Sequence, residues 1–150
     1  MTVKLVHLLA ILFTALTFAP AAAHAFALMN KIGMNQADYF TAQDAYKRWD
    51  VFGWSYLGAL VFPLALAWML RGEGASFWLA VLGFVGIALA LTVFFIWVSP
   101  GNQATQNWTV APENWQTLRT RWEYGHAANA VIIFLSLCAL TAAATVARPD

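Results

Sequence analysis

"FWLAVLGFVGIALALTVFFIWV", residues Phe77 to Val98, contains no charged side chain. A helix needs about 20 predominantly apolar residues to cross a bilayer core, and this run supplies them. Three more stretches pass the same test: Leu5 to Leu28, Val51 to Leu70 and Ala127 to Val146, all uncharged. The chain as a whole is 61% hydrophobic and 10% charged, whereas soluble domains average about 25% charged residues. The expectation is an all-α protein forming one domain over residues 1–150. It should be a four-helix transmembrane bundle with spans near 5–28, 51–70, 77–98 and 127–146.

Composition also excludes some functions. The net charge of +1 leaves no electrostatic footprint for nucleic acid, so no nucleic-acid partner is expected. Cys138 is the only cysteine and cannot form an internal disulfide. The N-terminus has the lysine, apolar stretch and Ala-x-Ala sites (Ala21/Ala23, Ala23/Ala25) of a cleavable signal. Its apolar character nevertheless continues to Leu28, long enough to span, and we read it as a retained first helix.

The connections between spans are unequal. "RGEGAS", Arg71 to Ser76, is a short glycine-containing turn, whereas Met29 to Asp50 and Ser99 to His126 are longer and polar. In a four-span chain the two long connections emerge on the same side. Lys31, Lys47, Arg48, Arg119 and Arg121 lie on that side; Lys4, Arg71 and Arg148 lie on the other. A positive-inside count favours cytoplasmic long loops, while the signal-like start favours a cytoplasmic N-terminus. We take the second as the expectation, in a bacterial inner membrane.

The polar groups are concentrated at the foot of the last span, in "NWTVAPENWQTLRTRWEYGH", Asn107 to His126. Pro112 and Glu113 suit the first turn of a helix, which should continue from an interfacial segment into span four. At 100° per residue, Trp115, Arg119, Trp122, His126 and Asn129 share one face, with Glu123 at its edge. Interfacial anchoring accounts for tryptophan and arginine there. It accounts less well for His126 and Asn129, because polar groups at depth usually face a bundle interior. His24, near the end of span one, lies at similar depth on the same side. In the first long connection, Tyr39, Gln43, Tyr46 and Asp50 recur at helical spacing, as in a short surface helix. The expectation is a pocket lined by the span-four stripe, shared with His24 and roofed by Tyr39, Gln43 and Tyr46.

"AHAFALMNKIGMNQADYFTAQDAYKRW" and "NQATQNWTVAPENWQTLRTRWEYGHAANA" together resemble the anthrone oxygenase-like integral membrane family, a domain of unknown function. Matching features are the histidine late in span one, the lysine beyond it and a Tyr-x-x-Trp entry to span two. The Asn-Trp pair and the Trp-x-x-Leu-Arg-x-x-Trp-Glu-x-x-His run also match, so the likeness covers nearly the whole chain. Met29-Asn30 departs from it, standing where a Pro-Asn-Lys-like turn is expected. The resemblance implies His24, Asn107, Trp108, Trp115, Arg119, Trp122 and His126 as site residues, and a lipophilic polycyclic or phenolic aromatic as substrate.

Anthrone chemistry needs a base for an acidified methylene, a role for His126 or His24, and a cationic donor at the developing oxyanion, a role for Arg119. Trp115 and Trp122 would supply flat walls. Asn107, Trp108, Glu123, Asn129, Gln43 and Tyr46 complete the expected binding set, with no cofactor. Two alternatives stand beside this reading. One is a non-catalytic membrane protein that binds a lipophile or joins a homo-oligomer or membrane complex, its polar stripe acting as interhelical glue. The other is a metal or haem protein, with His24, Glu123 and His126 as a two-histidine, one-carboxylate set.

Overall fold

The computed structural model describes residues 2–146. Among them every regular element is helical: Val3–Lys31 (α1), Gln36–Gln43 (α2), Gly53–Met69 (α3), Ala75–Val93 (α4), Ser99–Ala104 (α5) and Trp115–Val146 (α6). Two 3₁₀ turns, Asp44–Tyr46 and Trp49–Phe52, lead from α2 into α3. A π-helical turn at Phe94–Val98 joins α4 to α5. Four segments are long and apolar enough to cross a bilayer: Val3–Lys31, Trp49–Met69, Ala75–Ala104 and Trp115–Val146. The protein is therefore an integral membrane protein of the all-α class.

The long helices pack in a ring, α1 on α3, α3 on α4, α4 on α6 and α6 on α1. The interface is built largely from small and branched residues, as expected where helices associate by close packing in lipid. Val6, Ala10, Leu66, Ala67, Ala80 and Leu140 form its layer near the short turn, and Ala21, Ala59, Ile87, Ala90, Ala130 and Ile133 form the middle layer. Polar ties supplement this packing. His7 Nε2 lies 2.8 Å from the Leu140 carbonyl oxygen, and Thr17 donates to Ser55 Oγ at 3.0 Å. Bulky side chains such as Leu57, Leu82 and Phe95 remain on the outer surface, where acyl chains replace protein as their apolar surroundings.

The short turn runs between α3 and α4 with Gly72 and Gly74 at φ 95° and 56°, a conformation that glycine adopts without a Cβ penalty. Both long connections meet at the opposite end, where Tyr39 of the first packs with Trp108 of the second. Two boundaries differ from the sequence reading. Helix α1 continues through Met29 and Asn30 to Lys31, so no turn interrupts it there. Helix α6 begins at Trp115; Pro112 precedes it, its carbonyl accepting from the Trp115 N–H at 3.0 Å.

Candidate functional site

The loop end of the bundle contains two adjacent polar features, and the first is a buried charge cluster. Lys31, in the last turn of α1, places Nζ 2.9 Å from Glu123 Oε1 of α6, with the two side chains 4% and 0% exposed. Tyr39 donates its hydroxyl hydrogen to the same Oε1 at 2.9 Å, and Gln43 donates to the Tyr39 oxygen at 2.7 Å. Burial and then the Glu123 charge push the Tyr39 hydroxyl well above the ordinary phenol range, so it stays a neutral donor. Arg119 lies over the rings of Trp115 and Tyr39, 4.8 and 5.4 Å from their centroids. Its Nη1 donates to the Met34 carbonyl at 2.6 Å.

Aromatic rings fill the space around these charges. Tyr39, Trp108, Trp115 and Trp122 are buried together with Val98. Trp108 is delivered by a strained turn in which Gln106, Asn107 and Trp108 have φ of 48°, 56° and 65°. Such left-handed residues cost about 1–3 kcal/mol each and persist only where their surroundings impose them. Thr105 helps to impose them: its Oγ1 accepts from the Trp108 N–H at 3.0 Å, and its carbonyl accepts from Thr109 and Val110. Trp122 is held by Nε1 donating to Asn102 Oδ1 at 2.7 Å.

The second feature is a cavity of about 400 Å³ beneath and beside this cap, within the ~300–1,000 Å³ of small-molecule sites. Its wall is drawn from α1 (Thr17, His24), the 3₁₀ turn before α3 (Trp49), the start of α3 (Tyr56), the π turn (Phe94, Phe95) and α6 (His126). The imidazoles of His24 and His126 stack with centroids 4.1 Å apart and planes 24° from parallel. Trp122 packs edge-on against both, at 4.9 and 4.3 Å, and Tyr46 lies 4.2 Å from His24. His24 Nδ1 is buried with no hydrogen-bond partner among the described residues. Both irregular turns, the 3₁₀ entry to α3 and the π turn, border the cavity, and π-helical turns recur at functional sites.

No family model, no curated protein and no solved structure matches the chain.

The span-four stripe divides between the two features. Only His126 of that stripe lines the cavity, facing His24 of α1. Trp115, Arg119 and Trp122 belong to the cap, as do Tyr39, Gln43, Trp108 and Glu123. The cap is packed by its own side chains, with Glu123 holding Lys31 and Tyr39 in contact. Tyr46 packs between the two, against His24 and 4.5 Å from Lys31 Nζ. Asn129 is buried with its Oδ1 unpartnered among the described residues, and Asn107 is exposed on the strained turn.

Arg119 is not among the residues of the cavity wall, and its Nη1 is held by the Met34 carbonyl. Glu123 Oε1 is engaged by Lys31 and Tyr39. No group of three or more His, Cys, Asp or Glu among the described residues is placed to hold a metal.

Sequence reasoning missed Lys31 as the partner of Glu123, and Trp49, Tyr56, Phe94 and Phe95 as wall residues. The first was detectable, because Lys31 follows His24 by seven residues and so shares its helix face. The wall aromatics carry no such signal.

Proposed function

We propose that the protein binds a flat, lipophilic polycyclic or phenolic aromatic in the His24–His126 cavity and oxidises it with dioxygen. The resemblance to the anthrone oxygenase-like family supplies the reaction class. The observation that carries the proposal is the stacked imidazole pair in the wall of an aromatic-lined, ligand-sized cavity. A neutral imidazole is a suitable base near neutral pH, and Trp49, Phe94 and Phe95 suit a planar ring system.

The chemistry balances with an anthrone. His24 or His126 takes a proton from the methylene, and the electron pair delocalises onto the ketone oxygen. Dioxygen then oxidises the electron-rich anion. In the net reaction the methylene loses two hydrogens and gains one oxygen atom, while the second oxygen leaves as water. The wall has two hydroxyl-bearing residues, Thr17 and Tyr56. Thr17 already donates within the bundle, so Tyr56 takes the oxyanion-donor role formerly expected of Arg119. We place this site in a bacterial inner membrane, with the N-terminus and short turn on the cytoplasmic side.

A second reading, binding without turnover, has its own support. Asp50 is the only acidic or basic residue besides the histidines in the described wall, so no cation stabilises an oxyanion there.

Oxygen uptake by purified protein in nanodiscs, with anthrone supplied in the lipid, separates the readings. Turnover in the wild type should fall by about 100-fold or more in folded His24→Ala and His126→Ala proteins, while Arg119→Ala retains most of it. Anthrone binding without oxygen uptake above the protein-free rate would establish the second reading. Absence of binding would refute both.

A further inference from the structure

The cavity opens on the flank of the bundle, at a rim that is mostly apolar. On the aqueous side the buried rings of Tyr39, Trp108, Trp115 and Trp122 and the Lys31–Glu123 pair form a packed layer. On the flank, Gly53 at the start of α3 and Phe95 of the π turn line the cavity while being exposed themselves. They therefore form its rim. Phe95 is 65% exposed, and its outward neighbours Ile96 and Trp97, like Trp54 and Leu57 beside Gly53, are exposed and apolar. Asp50 marks the polar end of the same rim. Helices α3 and α4 are joined by the short turn at the far end of the bundle, so the rim between Gly53 and Phe95 lies at the end away from that turn.

We infer that this gap is a lateral portal, and that the site takes ring compounds carrying an alkyl or isoprenyl chain, drawn from the bilayer. The inference rests on the proposed ligand cavity and names its substrate class more narrowly. A volume of about 400 Å³ holds a two- or three-ring head but not a long chain as well. The head lies against His24 and His126, with its polar substituents toward the Asp50 end. The chain leaves between Gly53 and Phe95 and stays among the acyl chains, so it need not be desolvated or folded into the protein.

Gly53 offers a clean test, because a Cβ there meets nothing within 4 Å and the residue has ordinary helical φ of −55°. The backbone therefore accepts a side chain at this position, and a leucine there should obstruct the rim. Gly33, where a Cβ also meets open space, lies outside the cavity wall and provides the control. The probes are dimethyl-naphthoquinone and the analogue in which a decyl chain replaces one methyl. Binding is read in phosphatidylcholine nanodiscs by quenching of tryptophan fluorescence, with concentrations expressed per lipid.

Gly53→Leu should weaken the decyl probe by about tenfold, equivalent to about 1.4 kcal/mol, and the dimethyl probe by much less. Gly33→Leu should change neither. Equal weakening of both probes, or of neither, would overturn the portal while leaving the cavity in place. If the wild type bound neither probe, the cavity reading would fall and the portal with it.

Discussion

Glu123 is fully buried near the polar end of a membrane span, a position that is costly for a carboxylate without partners. Lys31 and Tyr39 both contact Oε1, and Oε2 has no partner among the described residues. The balance of this cluster depends on keeping both charges. Glu123→Gln would leave the Lys31 ammonium buried without its counter-ion and should cost about 3–5 kcal/mol of stability. Lys31→Met should cost a similar amount. The double variant should be markedly less destabilised than the sum of the singles, because each partner's burial cost falls with the other's charge. Unfolding in detergent, with all four proteins compared, measures that coupling; additive losses would show that the two charges do not act as a pair.

Tyr39 adds a pH dependence whose sign is fixed by the direction of its shift. Its folded-state pKa lies above the unfolded value of about 10, so the folded state favours the neutral phenol. The associated stability is fully present below about pH 10 and is lost as the unfolded phenol begins to ionise and the pH climbs toward the folded value. The melting temperature of the wild type should therefore decline between about pH 9.5 and 11 more steeply than that of Tyr39→Phe, which has no phenolic proton. Parallel curves would contradict the hydroxyl's place in the cluster.

At the scale of elements, the four spans and the continuity of α6 were legible because uncharged runs and helical spacing reflect the same bilayer constraint. The matching depth of His24 and His126 was also legible, since each lies a countable distance from a span end. The division of the α6 stripe was not. Trp115, Arg119 and His126 share a face, but the Lys31–Glu123 contact that commits the upper part of that face to the cap depends on how α1 meets α6. Phe94 and Phe95 were hidden for another reason: in a uniformly apolar run, a phenylalanine facing lipid reads the same as one facing a cavity.

The π turn that presents those phenylalanines is fitted against α6 at Gly125. A Cβ added there would lie 2.9 Å from Val98 Cγ2 and 3.3 Å from Trp97 Cβ. Gly125→Val should therefore destabilise the protein by about 1–3 kcal/mol through overpacking. It should also weaken ligand binding, because His126 is the next residue and Phe94 begins the same turn. A variant of wild-type stability and affinity would show that the contact between α6 and the turn is not tight.

At the scale of the whole molecule, the two long connections fold into an aromatic cap, and the space beneath it, bounded by His24 and His126, is the site we propose for a lipophilic ring compound. This differs from a bundle whose tryptophans and arginines merely anchor it at the interface, because it requires one saturable interior site. Photolabelling with benzophenone, a diaryl ketone delivered in lipid, distinguishes the two directly when the insertion sites are mapped by mass spectrometry. The expected result is labelling concentrated on wall residues such as Tyr56 and Phe94, suppressed by excess anthrone and lost in a folded His126→Trp variant that fills the space. Labelling spread over outward positions such as Leu57 and Leu82, unaffected by anthrone, would contradict the claim.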